Sequence, residues 1–400
     1  MPVPPSVKNL YQVFSSWLFD QAFPLWGSIG CDGTEKHPSC WGAHEQLTLD
    51  GKPDLTGYKR MRVQARQLYA FTQASFMGWS KGNAIAESIY HFMQNGQQGE
   101  GWWARRLTRE GKILDPTADL YDLAFIIFSF AWYGRLTGDP KPIHQARQTI
   151  RWIQQYMAFP KGGFKNTLPL EKGYRQQNPH MHLLEATLAL YETTGSEQDL
   201  VFVQQLIALF KNYFFDLQRG NLGEYFTENW QSPPGKAGDE IEPGHQYEWI
   251  WLLAEYNRLV GGHAMSEAIR MYEFNRRFAV DKITGLVFNK VKRDGSFMGK
   301  SVRLWVQTEA IRATSLMDDE KSYNHLAQII YNLLYRFFAL CPSGTWRDQF
   351  NDRLQFCDNK IPTSSFYHIV SGFVQLGRVM GYPRYPQVSP QFTESNLSKI

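Results

Sequence analysis

The sequence predicts an all-α protein built as an (α/α)6 barrel, and three observations support this. Helical periodicity governs the stretches in which a pattern can be read, whereas strand-like alternation is brief and local, as in GLVFNKV around Val287. About twelve candidate helices fall into pairs along the chain. Polar or ionisable residues recur near the start of alternate helices at steps of about sixty residues. Six helical hairpins closed into a ring would satisfy all three observations.

The candidate helices are separated by segments rich in glycine, proline and asparagine, such as FPKGGFKNTLP, which have the composition of turns and small hairpins. We place the helices near residues 6–24, 58–77, 80–96, 120–137, 140–158, 179–195, 197–215, 244–260, 264–280, 303–317, 320–340 and 365–380. None of the connecting segments is long or biased enough in composition to link two domains. We therefore expect residues 1–400 to form a single barrel domain.

The sixty-residue step is an internal period of the sequence. Six residues at helix starts stand 56, 60, 66, 61 and 59 positions apart, namely Arg66, Asp122, His182, Glu248, Glu309 and His368. One outgoing and one returning helix with their loops account for such a step. An open helical solenoid is the alternative, but its repeats are typically about 33 to 47 residues long and no consensus recurs here. In a closed barrel the six helix starts would converge on one pocket.

Composition limits the classes of partner. The chain is 43% hydrophobic and 20% charged, as in an ordinary globular protein, and its net charge is only +4. Lysine and arginine are scattered, so we expect no binding to nucleic acid or to an anionic membrane. The longest apolar run, 123–133, is too short to cross a bilayer of about 30 Å and indicates a buried helix. A small molecule is the expected partner, and a monomer and a homodimer both remain open.

The N-terminus and the cysteines favour a cytoplasmic protein. The opening MPVPPSVKNLYQVF has no apolar segment followed by a cleavage site. The cysteines at 31, 40, 341 and 357 form no C-x-x-C pair, so neither a zinc knuckle nor a redox motif is indicated. Reduced thiols are expected, although a Cys31–Cys40 disulfide is the alternative.

His245 is the strongest single candidate for chemistry. The segment EPGHQYEWIWLL places Pro243 and Gly244 before a helix on which His245 and Glu248 share a face. We expect Glu248 to orient the imidazole, whose ordinary pKa of about 6.5 suits proton transfer at neutral pH. The competing interpretation is a structural histidine with all its hydrogen bonds made inside the core.

Two further helix starts carry histidine in the same phase. QNPHMHLLEA places His182 three residues before Glu185, so both lie on one face and are predicted to bind substrate. Asn178 is the predicted N-cap of this helix, because its side chain can accept a bond from a free backbone N–H. His368 begins the last helix beside Tyr367. The barrel would bring the three histidines together.

The motifs also bear on three other kinds of site: a metal site, a nucleotide site and a glycosidase site. The chain has no H-E-x-x-H motif, and it carries H-x-x-E where di-iron bundles need E-x-x-H, so no metal is expected. KGGFK lacks the spacing of a phosphate-binding loop, so no nucleotide cofactor is expected. A glycosidase could use two carboxylates among Asp122, Glu185, Glu248 and Glu309, but this would leave the histidines without a role.

Several motifs in order, RVQARQLYAF, NPHMHLLEA, EPGHQYEWIWLL, WVQTEA and YHIV, together resemble the N-acylglucosamine 2-epimerase superfamily over roughly residues 55–380. The similarity is greatest to the aldose–ketose isomerase branch, which contains D-mannose isomerases. The resemblance implies an (α/α)6 barrel without a metal cofactor. It implies that His245 and His368 are the acid/base pair, and that the sugar site is lined by Arg66, Asn178, His182, Glu248, Trp305 and Glu309.

The resulting expectation is a sugar isomerase that interconverts D-mannose and D-fructose through a cis-enediol. Proton abstraction next to a carbonyl needs a base near neutral pKa and donors that stabilise the developing oxyanion, which histidines and an arginine supply. A sugar 2-epimerase is the alternative, because it can use the same histidines. A glycosidase and a non-enzymatic helical-repeat binding protein rank below both.

Overall fold

A computed structural model describes residues 2–33, 42–55, 57–381 and Phe392. Within these ranges the twelve helices of eleven residues or more correspond to the twelve predicted segments. They are α1 (Pro5–Trp17), α2 (Met61–Phe76), α3 (Gly82–Met93), α4 (Leu120–Thr137), α5 (Pro140–Trp152), α6 (Gln177–Thr194), α7 (Glu197–Leu209), α8 (Pro243–Val260), α9 (Met265–Phe278), α10 (Leu304–Thr314), α11 (Glu320–Asn332) and α12 (Ser365–Val379). Short helical turns occupy Phe23–Trp26 and Lys236–Asp239.

The even-numbered helices form a closed inner ring. Helix α2 packs on α4, α4 on α6, α6 on α8, α8 on α10, α10 on α12, and α12 returns to α2. Inner helices such as α4 and α6 are buried on nearly every face, which explains why their sequences are apolar around most of the circumference. The predicted (α/α)6 barrel is therefore confirmed.

The odd-numbered helices form the outer layer, and the first of them closes the ring. Helices α3, α5, α7, α9 and α11 each pack on the inner helix that precedes them, whereas α1 packs on α11 and α12. Tyr11 stacks on Phe373 with 4.6 Å between ring centroids, and Phe14 meets the same ring edge-on at 5.1 Å. The sixth helix pair is therefore α12 with α1, which come from opposite ends of the described part of the chain.

Helix ends differ from the predicted ranges at identifiable places. Helix α2 begins at Met61 rather than near residue 58, because Tyr58–Arg60 form a strand. Four outer helices continue as π-helical turns, so their apolar pattern outlasts the α-helix. These turns are Leu18–Ala22, Ile153–Met157, Phe210–Phe214 and Leu333–Phe338.

Short antiparallel strand pairs link neighbouring repeats in a belt around one end of the barrel. In each pair, one strand lies at most two residues before an inner helix and the other belongs to a neighbouring repeat. The pairs are Tyr58–Arg60 with Arg106–Thr108, Ala118–Asp119 with Thr167–Leu168, Arg175–Gln176 with Tyr225–Phe226, Glu240–Ile241 with Val291–Lys292, Val302–Arg303 with Gln349–Phe350, and Lys360–Pro362 with Gln46–Thr48. The belt therefore positions the starts of all six inner helices.

Other short strands lie outside the belt. Ile113–Asp115 adds to the strand Arg106–Thr108, and three local pairs join Cys31–Asp32 with Gly42–Ala43, Gln97–Gly99 with Trp102–Trp103, and Phe215–Asp216 with Asn221–Leu222. Cys31 carries a free thiol, and the Cys40 of the alternative disulfide lies outside the described residues. None of the helices in the described ranges combines the length and apolar character that a membrane span needs.

Candidate active site

A cavity of about 220 Å³ opens at the belt end of the barrel, where the inner helices start. Each inner helix contributes at least one lining side chain, and the connecting segments supply the rim. The lining residues are Arg66, Tyr121, Gln176, Asn178, His182, Glu224, Tyr225, Glu242, His245, Glu248, Arg303, Trp305, Ser364, Ser365 and His368. The sixty-residue period thus has a spatial counterpart in one polar pocket.

Seven of the nine predicted site residues line this cavity, and two do not. Glu185 and Glu309 lie beneath its floor, 3% and 0% exposed, and contact His182 and His368. Neither glutamate lines this cavity, and their part in binding the sugar stays a prediction. Asp122 also points away from the cavity, with its Oδ1 2.6 Å from Nε of Arg62. Packing against neighbouring helices sets the rotation of each helix about its axis, and the spacing of residues in the sequence does not reveal that rotation.

The predicted role of Asn178 as an N-cap is wrong. Helix α6 begins at Gln177, directly after the belt strand Arg175–Gln176, so Asn178 lies inside its first turn. Its Oδ1 is buried, and the structure gives it no hydrogen-bond partner among the residues it describes. A buried acceptor without a partner is costly, so this atom is suited to a ligand hydroxyl.

His245 is oriented by Glu224, and not by Glu248 as predicted. The imidazole Nδ1 lies 2.8 Å from Oε2 of Glu224, which also accepts a bond from Nε2 of Gln177 at 3.0 Å. Burial disfavours a charged imidazole, but Glu224 and Glu242 outweigh it and raise the pKa of His245 to about 10. At neutral pH His245 is therefore an imidazolium.

The other two histidines are neutral. Nδ1 of His182 lies 3.0 Å from Oε2 of Glu185, and Nδ1 of His368 lies 2.7 Å from Oε1 of Glu309. Burial lowers the pKa of His182 to about 4. Burial, reinforced by the charge of Arg66, holds the pKa of His368 well below its ordinary value. When each carboxylate accepts an Nδ1–H, Nε2 is left unprotonated.

Trp305 lies close to both His245 and His368, with 5.4 and 5.5 Å between its ring centroid and theirs. The first turn of α8 makes room for it, since a Cβ on Gly244 would approach the indole ring to 2.3 Å. Glycine is required here by close approach. The indole therefore neighbours both the charged and the neutral imidazole.

Arg66 supplies a fixed positive charge to the cavity. Its Nη2 donates to the hydroxyl of Tyr121 at 2.6 Å, and its guanidinium lies 4.3 Å from the ring centroid of Phe125. A guanidinium held in this way can stabilise negative charge that develops on a sugar oxygen.

Glu248 lines the cavity with a carboxyl group whose neutral form is favoured by burial. Its Oε1 is buried without a hydrogen-bond partner in the described part of the chain, 3.8 Å from Nε2 of His182 and 4.0 Å from Nδ1 of His368. Burial and the nearby Glu309 raise the pKa of Glu248 well above its ordinary value. A protonated carboxyl can both donate to and accept from a sugar hydroxyl.

One group of side chains has the composition of a metal site. Glu248, Glu309 and His368 each bring one ligand atom within 4.8 Å of the others. The His368 nitrogen that faces Glu309 is already engaged in a hydrogen bond, and Nη1 of Arg312 lies 3.4 Å from Oε2 of Glu309. A fixed cation at this distance disfavours a second one. That no metal binds stays a prediction.

Glu224, Tyr225, Glu242 and Arg303 are cavity residues that sequence reasoning missed. Glu224 lies in the non-helical segment LGEYF, which follows neither the sixty-residue period nor a helical face. It reaches His245 because the belt pairs Tyr225–Phe226 with Arg175–Gln176. No sequence signal identifies a residue delivered by strand pairing between repeats.

The fold and the cavity define a closed helical barrel that gathers imidazole, carboxyl and guanidinium groups at one end. The family model for N-acylglucosamine 2-epimerase (GlcNAc 2-epimerase) matches residues 42–372. The chain belongs to this family and is an enzyme of its epimerase and isomerase type. The resemblance inferred from the motifs is thereby confirmed.

Some of the similar proteins are named isomerases and others are named epimerases. The chain is 30% identical to a mannose-6-phosphate isomerase from Rhizobium meliloti (strain 1021), covering 90% of this chain and 95% of the relative. It is 23% identical to a D-mannose isomerase from Pseudomonas cannabina pv. alisalensis, covering 87% and 90%. Among solved structures, cellobiose 2-epimerase from Spirochaeta thermophila DSM 6192 matches with a TM-score of 0.82 at 22% identity, over 94% and 98% of the two chains.

Proposed function

We propose that the protein is an aldose–ketose isomerase that interconverts D-mannose and D-fructose. One observation carries the proposal: the cavity holds a neutral histidine, His368, and an imidazolium, His245, and both rings lie close to Trp305. Moving a proton from C2 to C1 needs a base and an acid that are present at the same pH. The isomerase names of two relatives support the same reaction.

In the first step, Nε2 of His368 takes the proton from C2 of the open-chain aldose. The electron pair of the broken C–H bond forms the C1–C2 double bond, and His245 protonates the carbonyl oxygen at C1. The product is a cis-enediol, with His368 charged and His245 neutral. Arg66 stabilises the negative charge that develops on oxygen.

In the second step the charges return to their starting arrangement. His245 takes the proton from the hydroxyl on C2, the electron pair forms the ketone, and His368 delivers its proton to C1. Both histidines end in the state in which they began, so no further acid, base or oxidant is needed. His182, Asn178 and Glu248 bind the hydroxyl groups of the open-chain sugar.

The size of the cavity favours a monosaccharide. A volume of about 220 Å³ lies below the range of about 300–1,000 Å³ that is usual for small-molecule pockets. The side chains of Tyr225, Glu242 and Arg303 occupy the rim. One sugar ring fits this space more readily than a disaccharide.

A 2-epimerase is the second candidate. Epimerisation returns the proton to the opposite face of C2, which requires a second neutral base, and His182 is neutral and lines the same cavity. The structural similarity to a cellobiose 2-epimerase points to the same alternative. A glycosidase ranks lower, because Asp122, Glu185 and Glu309 lie outside the cavity.

The decisive experiment is a sugar panel run in heavy water with identification of each product. The panel contains D-mannose, D-fructose, D-mannose 6-phosphate, D-glucose and cellobiose. We expect D-mannose to give D-fructose, with deuterium at C1 of the ketose and at C2 of the aldose. Deuterium at C2 with D-glucose as product would establish the epimerase instead. Release of a shorter sugar from cellobiose would establish a glycosidase, and no turnover of any sugar would overturn the proposal.

A further inference from the structure

A buried arginine lies beneath the floor of the cavity and contacts two carboxylates at once. Nη2 of Arg312, on α10, lies 2.9 Å from Oε1 of Glu185, and its Nη1 lies 3.4 Å from Oε2 of Glu309. The guanidinium packs 3.5 Å from the ring centroid of Trp251, and the residue is 3% exposed. The fork of the guanidinium therefore bridges the carboxylates that hold His182 and His368.

Two buried carboxylates at this depth would not both stay ionised without a cation. Burial raises the pKa of Glu309 to about 7, and the charge of Arg312 opposes that rise. Burial acts on Glu185 as well, but Arg312 and the hydrogen bonds from His182 and Tyr367 outweigh it and hold its pKa at about 2. Arg312 acts on both carboxylates as a fixed positive charge.

The protonation of Glu309 decides what His368 can do. An ionised Glu309 accepts Nδ1–H, and the lone pair of Nε2 then faces the cavity. A protonated Glu309 would donate its O–H to Nδ1, and the ring proton would move to Nε2. In that tautomer Nε2 of His368 has no lone pair with which to take a proton from carbon.

We propose that Arg312 is a positioning residue: by keeping Glu185 and Glu309 ionised, it fixes His182 and His368 in the tautomer whose unprotonated Nε2 faces the cavity. Arg312 does not line the cavity and touches no substrate. The proposal deepens the isomerase function and rests on it, since the base that Arg312 maintains is the one that the reaction uses.

Glu224, the carboxylate that holds the third cavity histidine, differs from Glu185 and Glu309 in its ion pairs. Glu224 holds Nδ1 of His245 at 2.8 Å, and within the described ranges no arginine or lysine forms an ion pair with Glu224. There Glu224 and the nearby Glu242 together outweigh burial, and the imidazole becomes an imidazolium. The histidine whose glutamate makes no ion pair with an arginine is thus the charged one of the three.

The test must take account of every charged group around Glu309. Arg312 faces it from α10, Glu185 and His182 from α6, Glu248 from α8, and His368 from α12. The first variant is Arg312→Gln, which removes the charge. The second is Arg312→Lys, which keeps the charge but lacks the fork that spans two carboxylates. The matched control is Arg258→Lys, at an arginine in the last turn of the inner helix α8.

Arg258 suits this purpose because it pairs with Glu192 at 2.7 Å and Glu255 at 2.6 Å, neither of which holds a cavity histidine. The first readout is the imidazole tautomer of the full-length, sugar-free protein, from long-range ¹H–¹⁵N correlations. The His182→Gln and His368→Gln variants assign the signals. The second readout is kcat and KM for D-mannose as a function of pH.

In the unchanged protein we expect Nδ1–H in both His182 and His368. In Arg312→Gln we expect His368 to become Nε2–H, kcat to fall about 10- to 100-fold with little change in KM, and the acid limb of the pH profile to move to higher pH. Arg312→Lys should lie between, and Arg258→Lys should match the unchanged protein.

A folded Arg312→Gln with unchanged tautomers and unchanged kcat would overturn the proposal. Circular dichroism and thermal unfolding establish folding, and if Arg312→Gln does not fold, Arg312→Lys carries the same comparison. If the unchanged protein converts no sugar, the proposed function fails, whereas the tautomers still decide the role of Arg312. The two failures are therefore distinguishable.

Discussion

Nδ1 of His368 and Oε1 of Glu309 lie 2.7 Å apart, although the two residues come from neighbouring inner helices. They are separated by one full repeat of the barrel, 59 residues in sequence. Ring closure places the start of α12 beside α10. The orientation of the proposed base is thus a consequence of helix packing between repeats.

The two histidines assigned to proton transfer should be indispensable. Replacement of His368 or His245 with Gln should lower kcat for D-mannose by at least about 10²–10⁴-fold, because each removes one partner of general acid–base catalysis. Product chromatography measures the loss. His325→Gln on the outer helix α11 is the control and should retain full activity. Activity retained in either site variant would remove that histidine from the mechanism.

The activity should have a bell-shaped dependence on pH. Glu309 must be ionised, and its pKa is raised to about 7, so kcat should rise as pH increases through about 7. His245 must be protonated, and its pKa is raised to about 10, so kcat should fall as pH increases through about 10. Initial rates between pH 5 and 10.5, with circular dichroism as the folding control, test both limbs. A flat profile across neutral pH would contradict the role of Glu309.

Glu224→Gln should shift the alkaline limb of that profile. Glu224 is the largest contribution that raises the pKa of His245, so its neutral replacement should lower this pKa. The alkaline limb should therefore move to lower pH, and kcat near pH 8 should fall. The rim variant Glu242→Gln, whose Oε2 lies 3.9 Å from Nε2 of His245, should shift the limb less. Equal shifts in the two variants would assign no special role to Glu224.

Gly244→Ala should impair the site through Trp305. The added methyl would lie 2.3 Å from the indole ring, so the ring must move from its place beside His245 and His368. We expect a fall in kcat of about 10-fold or more, since a displacement near 1 Å can cost about 10²-fold. Gly99→Ala is the control, because its Cβ would meet no atom within 4 Å. Unchanged kinetics in Gly244→Ala would show that the ring position is not critical.

Closure of the ring by α1 should be visible in stability. Phe14 is fully buried against α12, so Phe14→Ala should lower the free energy of unfolding by about 3–5 kcal/mol. Val13→Ala is the neighbouring control, because Val13 is 46% exposed and should cost little. Urea unfolding measures both changes, and a single transition would support the expectation of one domain. A Phe14 variant as stable as the control would mean that α1 is not needed for closure.

The sequence alone was enough to predict the barrel and the gathering of its histidines. Inner helices are apolar on most faces and recur every sixty residues, and both features can be read from the chain. His182, His245 and His368 share the phase of that repeat, so a closed ring must bring them to one end. A period of this kind can be recognised in the sequence without a structure.

Tertiary structure alone decided which carboxylates hold His245 and His368. The rotation of α6 and α10 about their axes, set by packing against neighbours, places Glu185 and Glu309 under the floor rather than in the cavity. Glu224 reaches His245 through strand pairing between repeats, which leaves no period in the sequence. Arg312 bridges two carboxylates that stand 124 positions apart. Because charge states depend on distances and burial, the division between acid and base was fixed only by the folded chain.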